Sequence, residues 1–440
     1  MGCGGGGGAK PDTGAGGNAG LGGGLDGAVL DATVDGSAGP SFHATFAEAF
    51  PASIRAPVGL LVAVDNADTA VVVTPSSGST IGDPGPTITW LPLQGPRRML
   101  TFANAITPNA MTVDKSGTIW LVGQLYRAVS FGGPTLQPIG NGYYLAKLSS
   151  DGSHLATVAI SRAETTFPQA IAADGDGNVY VTGGLLSTSG TVSSAVFLTK
   201  FSSNGTQAYD QTYIGTDTEA SAQAIAFRKD GDLVLAGFFN SSITFGTNHL
   251  SSAAGLSSNG FVAIADRSTG AVRSAFRFGG ATLDSANSVQ VTTSGSMRIA
   301  GQMSGSSTIG GMTVQADAQG SAFIAELTDA GVASWVRLVG SPGTFARGDT
   351  NAADRTFGAG HLDLATTSDA ILATVGTDGQ VAVPLRVSNT DGNGATTCAA
   401  DLHGGVWVGG EFEGSTNFGT GALSGSDPTL PTNFLVHLEL

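Results

Sequence analysis

Charge, lysine and cysteine are all scarce in this chain. Only 12 % of its 440 residues are charged, five of them are Lys, and the formal net charge is −15. A surface that binds nucleic acid needs clustered Lys and Arg, so this composition excludes a nucleic-acid partner. The longest apolar run lies near residues 56–64 and falls short of the roughly 18 residues that cross a bilayer. We therefore expect contact with a membrane only through a covalent lipid.

The recognisable sequence patterns of enzymes and metal sites are missing as well. There is no G-x-S-x-G segment, and the six His and two Cys lack the spacing of a zinc site. Cys3 lies in a glycine-rich terminus and Cys398 inside a strand-like segment, so we expect no disulfide. Cys398 is expected to pack as a small apolar residue. We predict no catalytic residues, no cofactor and no enzymatic activity.

Glycine, by contrast, is abundant. The chain has 67 Gly, while 41 % of it is hydrophobic. That apolar content is too high for a disordered chain and favours a packed core. Many short strands joined by glycine-rich turns fit the composition better than helices do.

A thirteen-residue segment with an Asp/Gly turn and a closing glycine recurs along the chain. Its copies are Met111–Gly123, Ile171–Gly183, Ile225–Gly237, Val289–Gly301 and Cys398–Gly410, with a looser copy at Leu364–Gly376. Each copy reads as two strands around a tight turn, and two further strands follow most copies. Four antiparallel strands repeated about every 50–60 residues are typical of a β-propeller blade.

We therefore predict an all-β fold, a single seven-bladed β-propeller over 41–440, with six or eight blades as alternatives. The sixth blade is expected to be shortened, occupying Phe357–Asn389. The last blade stops after its third strand, Phe434–Leu438, and its fourth strand is expected to come from Phe42–Phe50. Pairing the two ends of the chain would close the ring and remove an open sheet edge.

The repeat resembles the bacterial SBBP β-propeller repeat. The residues that match its pattern best are Asp174, Gly177, Asn178, Tyr180, Val181 and Gly183, followed by Phe197, Lys200 and Gly205. The resemblance extends over about 107–440, with the sixth blade a poor match. It implies the propeller architecture and a surface or secreted location, and no catalytic residues.

Residues 1–40 form a Gly/Ala/Asp-rich segment that we expect to be a disordered tether. Gly2-Cys3 resembles the last two positions of a bacterial lipobox, which implies a lipidated Cys3. The basic and apolar parts of a signal peptide do not precede it, as expected if the chain starts at the processing site or the start codon is set too far downstream. The expected location is the cell envelope, as an outer-membrane lipoprotein or a secreted protein.

Two groups of polar residues are candidate ligand-binding positions. The first strands of four blades begin with an amide at one aligned position, which we expect at the mouth of the central channel: Asn109, Gln169, Gln223 and Asn287. A long inter-blade segment, Ser341–Gly360, is expected to be a loop on the same face and to present Arg347, Asp349, Asp354 and Arg355. Amides at strand starts also satisfy backbone groups, so a structural role stays open.

Asp174 and Asp176, in "DGDGN", are the candidate metal ligands. Oxygen donors at alternate positions are typical of calcium loops, but Asp, Asn and Gly are also the residues that tight turns require. The sequence thus predicts a monomeric, non-catalytic binding module for a protein or glycan. The alternatives are an enzyme with an unrecognised site at the channel mouth, or a purely structural envelope protein.

Overall fold

The computed structural model describes residues 42–50, 59–75, 84–103, 106–187, 194–216, 219–253, 257–363, 368–387, 393–425 and 431–439. The tether of 1–40 and Cys3 lie outside these ranges. The described residues contain strands and turns, and among them there is no helix that could cross a membrane.

The strands form seven antiparallel units of four. The N-terminal strand is β1 (His43–Phe50). The first unit is β2 (Leu61–Val64), β3 (Thr69–Thr74), β4 (Pro84–Pro92) and β5 (Arg98–Ala103). The second is β6 (Ala110–Val113), β7 (Ile119–Gln124), β8 (Tyr143–Leu148) and β9 (His154–Ile160). The third is β10 (Thr165–Ala173), β11 (Val179–Leu186), β12 (Ser194–Phe201) and β13 (Gln207–Ile214).

The next two units each carry an added hairpin between their second and third strands. The fourth is β14 (Ala220–Phe227), β15 (Leu233–Asn240), hairpin β16 (Ser242–Phe245) and β17 (Asn248–Ser251), β18 (Ser258–Ala265) and β19 (Val272–Phe278). The fifth is β20 (Ser285–Val291), β21 (Met297–Met303), hairpin β22 (Ser306–Ile309) and β23 (Met312–Gln315), β24 (Ser321–Leu327) and β25 (Ala333–Gly340). A single pair, Gly184 with Ser221, joins the third and fourth units into one sheet.

The last two units complete the ring. The sixth is β26 (Gly343–Thr350), β27 (Thr356–Asp363), β28 (Ser368–Val375) and β29 (Val381–Val387). The seventh is β30 (Asn393–Ala400), β31 (Val406–Phe412), hairpin β32 (Ser415–Asn417) and β33 (Ala422–Ser424), β34 (Thr432–Glu439) and then β1. The all-β propeller prediction is confirmed, and the seven units are compatible with the expected blade number.

The N-terminal strand closes the ring as the sequence predicts. β1 pairs antiparallel with β34, from His43 opposite Glu439 to Phe50 opposite Asn433. A bulge interrupts this pairing at Thr45, between Ala44 and Phe46. The last blade therefore contains both ends of the described chain, and β34 does not present an open edge.

The hydrophobic core is divided among the interfaces between neighbouring blades. Seven clusters of buried side chains each draw on two adjacent units, including one that joins the seventh unit to the first through Trp407 and Leu91. The third strands are almost wholly buried, as in β12, whereas fourth strands such as β13 alternate toward solvent. Burial on both faces is what the continuous apolar runs of the third strands require.

The sixth blade corrects the sequence prediction. Ser341–Gly360 is not a loop, because it contains β26, the turn after it and the start of β27. The blade is therefore complete rather than shortened. The looser repeat copy at Leu364–Gly376 instead contains the third strand, β28. The polar composition of β26 suggested a loop, but innermost strands are short of apolar residues because they line the channel.

A β-bulge explains the closing glycine of the repeat. In five blades one residue of the first strand is skipped in the pairing with the second: Gln169, Gln223, Asn287, Ala346 and Thr396. The bulge brings a carbonyl oxygen of the first strand against the closing glycine. A Cβ on Gly183 would lie 2.0 Å from the Phe167 oxygen, and one on Gly360 would lie 2.1 Å from the Thr344 oxygen. Only glycine fits there.

Two faces of the ring are distinguished by the direction of the first strands. These strands begin at one face, here called the mouth face, and end at the Asp turn on the other, the turn face. Strand order places the hairpins β16–β17, β22–β23 and β32–β33 on the mouth face. The bulges lie near the start of the first strands and so belong to the mouth face.

Candidate functional site

Seven aligned side chains, one from each blade, surround the central channel. They lie four residues before the first residue of each turn and line one cavity of about 140 Å³: Leu61, Ala110, Ala170, Ala224, Ser288, Arg347 and Thr397. Ala110, Ala170, Ala224 and Ser288 each directly precede a copy of the thirteen-residue repeat. Five members of the ring are small, Leu61 is larger and apolar, and Arg347 is the one charged member.

Arg347 extends from the sixth blade across the channel to the opposite side. Its Nη2 donates to the backbone oxygen of Gln169 at 2.8 Å, and its Nη1 to that of Gln223 at 3.3 Å. Those oxygens belong to the third and fourth blades. One side chain thus links three blades around the axis, and its guanidinium lies beside the bulge residues of two of them.

The charge of Arg347 has no acidic partner among the described residues. Its guanidinium donates to the two carbonyls, and no carboxylate forms an ion pair with it there. Burial lowers the pKa of Arg347 below its ordinary value, but an arginine remains charged at neutral pH. Within the described residues, neutral backbone dipoles rather than a counter-ion therefore hold this cation.

Three of the four candidate amides line cavities on the mouth face. A cavity of about 360 Å³ is lined by Gln223, Asn287 and Arg347, together with Phe238. A neighbouring cavity of about 250 Å³ is lined by Gln169 and again by Gln223 and Phe238. We call these two adjoining cavities the channel-mouth pocket. The sequence alignment named three of its polar residues, and it missed Phe238, which lies on the second strand of the fourth blade.

Two of the four amides, Asn109 and Asn287, also make hydrogen bonds within the protein. Asn109 accepts the Gln124 N–H through its side-chain oxygen at 3.3 Å, inside its own blade. Asn287 donates to the Phe345 oxygen at 2.8 Å and thereby ties the fifth blade to the sixth. Asn109 does not line the cavities described above.

Of the four residues expected on the long loop, only Arg347 reaches the channel-mouth pocket. Asp349 accepts the N–H groups of Ala400 at 2.9 Å and Thr350 at 2.8 Å, joining the sixth blade to the seventh. Burial raises its pKa, and these two hydrogen bonds act against that rise.

Asp354 and Arg355 lie at the turn after β26, on the turn face, contrary to the expected loop on the mouth face. Asp354 accepts the Thr293 N–H at 2.6 Å, from the turn of the fifth blade. The Arg355 guanidinium lies 5.7 Å from the ring centroid of Phe42, and burial lowers its pKa. Both residues therefore join neighbouring blades.

The carboxylate of Asp174 is occupied by its own turn. It accepts the N–H groups of Asp176 and Asn178 at 3.0 and 2.9 Å, the Asn178 amide at 2.9 Å and the Tyr180 hydroxyl at 3.2 Å. Burial opposes ionisation of Asp174, but these hydrogen bonds outweigh it, so its pKa lies below the ordinary value. Asp176 is exposed. The arrangement is that of a tight turn whose aspartate already has its donors, and the described residues hold no cluster of three metal-ligating side chains.

The sequence analysis did not single out one histidine that is buried in the last blade. His437 and Asp401 have side chains that are each only 1 % exposed, with Nε2 and Oδ2 2.7 Å apart. The other ring nitrogen, Nδ1, lies 2.7 Å from the hydroxyl of Thr45, the bulge residue of β1. These three residues connect the Asp turn, the third strand and the closing strand of the last blade.

The position of His437 explains why it is buried. In the second and third blades the equivalent residue is a lysine, which lies over an aromatic ring of the second strand: Lys147 over Trp120 at 4.9 Å and Lys200 over Tyr180 at 5.2 Å. His437 stacks on Trp407 in the same way, with ring centroids 4.5 Å apart. Thr45 and His437 line a cavity of about 770 Å³ on the turn face.

Comparison with known proteins identifies the repeat. Residues 159–183 match the family described as SBBP, beta-propeller repeat, and they run from the end of β9 into β11. The expected resemblance is thereby confirmed for this segment. No curated protein matches the chain by sequence.

Several solved structures have a similar fold. A chain of the Mitotic Checkpoint Complex is 11 % identical with a TM-score of 0.51, and the match covers 90 % of this chain and 92 % of that one. A virginiamycin B lyase from Staphylococcus aureus is 9 % identical with a TM-score of 0.47, covering 90 % and 99 %. A polysaccharide lyase is 13 % identical with a TM-score of 0.47, covering 88 % and 91 %. Identities this low concern the fold alone.

Proposed function

We propose that this propeller, which carries an SBBP repeat, is a monomeric, non-catalytic binding module that takes a glycan in its channel-mouth pocket. One observation carries the proposal: Gln169, Gln223, Asn287, Phe238 and Arg347 line adjoining cavities at the mouth of the channel. Amide side chains donate and accept hydrogen bonds, as sugar hydroxyls require, and an aromatic ring offers an apolar face to a sugar ring.

The bulges support this reading. A bulge leaves its residue outside the ladder and redirects the side chain, and bulges are frequent next to binding sites. Gln169 and Gln223 are bulge residues of neighbouring blades, and both line the same cavity.

The binding proposal predicts a specific loss on substitution of Gln223. Gln223→Ala should lower the affinity for a bound oligosaccharide about tenfold, because it removes one or two hydrogen bonds of about 0.5–1.5 kcal/mol each. The matched control is Gln211→Ala. Gln211 lies on the outer strand β13, where its side chain donates to the Thr269 oxygen at 2.9 Å, and the variant should bind the oligosaccharide like the unchanged protein. An array of neutral and acidic oligosaccharides, followed by titration calorimetry, measures both.

Two results would contradict the proposal. Absence of binding across the array would favour a purely structural role. Hydrolysis of p-nitrophenyl acetate would favour an enzyme if Thr45→Ala abolished it. Among the described residues, the Thr45–His437–Asp401 chain joins a hydroxyl, an imidazole and a carboxylate, as a nucleophile and its base would require.

We also propose that the protein is held in the cell envelope by a lipid on Cys3, with residues 1–40 as the tether. The support is the Gly2-Cys3 sequence and the glycine-rich segment after it. The full-length protein, expressed with its native upstream region, should carry lipid mass on Cys3 and partition into detergent. Cys3→Ser should remain in the aqueous phase. An unmodified Cys3 in the unchanged protein would remove the argument for an anchor.

A further inference from the structure

We infer that the ligand of the channel-mouth pocket is an acidic sugar, a uronic acid, whose carboxylate binds Arg347. The inference rests on the proposed glycan-binding function and adds the charge of the ligand to it. It starts from the one position of the axial ring where a blade replaces a small residue by a cation.

Placing the positive charge of Arg347 at the channel axis costs free energy, and no counter-ion from the described residues offsets that cost. Burial lowers the pKa of Arg347, which means that the charged form is disfavoured at this place. A buried cation is ordinarily paired with a carboxylate. Here the guanidinium donates to the backbone oxygens of Gln169 and Gln223, and no acidic side chain of the described ranges pairs with it. An anionic ligand would supply the missing charge.

The geometry favours a carboxylate over a bare anion. A guanidinium has five N–H donors in a planar fork that matches the two oxygens of a carboxylate, and the two carbonyls occupy only part of that set. Arg347 lines both the axial cavity and the larger cavity beside it, so the donors border a space with room for a ligand. That larger cavity, about 360 Å³, lies within the range of small-molecule sites.

Further polar atoms near the axis lack partners within the described residues. The Gln290 Oε1 and Thr396 Oγ1 atoms are buried and have no hydrogen-bond partner. Gln290 lines the axial cavity, and Thr396 lines the larger one. A hydroxyl-rich ligand can donate to the Gln290 Oε1 atom, which only accepts, and can donate to or accept from the Thr396 hydroxyl. The set of one cation, amides, an aromatic ring and unpaired polar atoms therefore fits a carboxylated sugar.

The test compares two sugars that differ at one carbon. We titrate the full-length protein with D-glucuronate and with D-glucose, and follow binding by saturation-transfer NMR. The unchanged protein should bind glucuronate at least about tenfold more tightly than glucose, since a hydrogen bond to a charged group is worth more than one between neutral groups. Arg347→Gln should reduce that ratio to below about twofold, because the preference for the charged sugar depends on the guanidinium.

A second variant separates charge from fork geometry and guards against misfolding. Arg347→Lys keeps the charge and loses the planar fork, so it should retain an intermediate preference for glucuronate. Circular dichroism and the thermal midpoint establish that both variants are folded.

The outcomes distinguish the two proposals. Equal binding of both sugars by the unchanged protein would overturn the acidic ligand and leave the glycan-binding function standing. An undiminished preference in Arg347→Gln would overturn the role of Arg347. Binding of neither sugar would overturn the uronic-acid proposal, and the oligosaccharide array would then decide whether the binding function itself fails.

Discussion

Alanine at position 410 is expected to lower the free energy of unfolding by about 3 kcal/mol, at the upper end of the usual cost of overpacking. Gly410 closes the repeat in the last blade, opposite the bulge of β30. A Cβ there would lie 2.0 Å from the backbone oxygen of Gly394. Because that oxygen belongs to a paired strand, it cannot move aside without opening the ladder between β30 and β31. Guanidinium titration measures the loss as a lower transition midpoint.

The control for this prediction is the residue on the other side of the same contact. A Cβ on Gly394 meets nothing within 4 Å, and its φ is not in the left-handed region. Gly394→Ala should therefore leave stability unchanged or raise it by up to about 1 kcal/mol, through a smaller entropy of the unfolded chain. Equal losses in the two variants would show that the bulge does not set the requirement for glycine.

Loss of the Arg298 side chain should destabilise the protein by about 3–5 kcal/mol, the usual effect of breaking a buried ion pair from one side. Arg298 is 2 % exposed and pairs with Glu326 at 2.9 Å. It also donates across the interface to the sixth blade, to the Asp354 oxygen at 2.6 Å and the Gly376 oxygen at 3.2 Å. Arg298→Ala leaves the carboxylate and these carbonyls without their donor. Chemical denaturation of the variant and the unchanged protein measures the difference.

Arg337→Ala is the matched control. The Arg337 and Arg298 guanidiniums both lie 5.7 Å from the ring of Trp335, but the hydrogen bond of Arg337 goes to the oxygen of Val336 in its own strand. Its loss should cost about 1 kcal/mol, as for a cation–π contact between partly buried side chains. Adding Glu326→Leu to Arg298→Met should restore part of the lost stability, because no buried charge is then left unpaired. If the single and double variants are equally unstable, the ion pair is not the source of the effect.

The blade architecture could be predicted because the repeat carries its own local chemistry. An aspartate such as Asp174 bonds the N–H groups of its turn, and Gly177 supplies a φ of 76°. The closing glycine marks the bulge, and the missing fourth strand of the last blade led to the pairing of β1 with β34. Each of these patterns can be recognised in the sequence alone, without knowledge of the fold.

The sixth blade was misjudged because its turn departs from that pattern. Asp354, with a φ of 57°, stands where the third blade has Gly177, and the Asn351 side chain accepts the N–H groups of Ala353 and Arg355. Counting back thirteen residues from Gly360 would have aligned Arg347 with Ala170 and placed it at the axis. The sequence could not predict the contacts of the Arg347 guanidinium, because the residues that accept its hydrogen bonds are 124 and 178 positions away in the chain.

The burial of His437 could not be predicted for a similar reason. Its partners, Asp401 and Thr45, are 36 and 392 residues away, and nothing in the local sequence distinguishes this histidine from an exposed one. Its alignment with Lys147 and Lys200 was available, and the aromatic residue opposite each of them is the signal that could have indicated burial.

The pairing of β1 with β34 has a consequence for how the protein is made. Thr45 and His437, which share a hydrogen bond, are 392 residues apart. At a synthesis rate of about 5–20 residues per second, β1 leaves the ribosome about 20–80 s before its partner strand. During that interval Phe46 and Phe50 have no sheet to join. The ring is therefore completed only after the last strand has been synthesised, and a nascent chain that lacks β34 keeps an unpaired, apolar strand at its beginning.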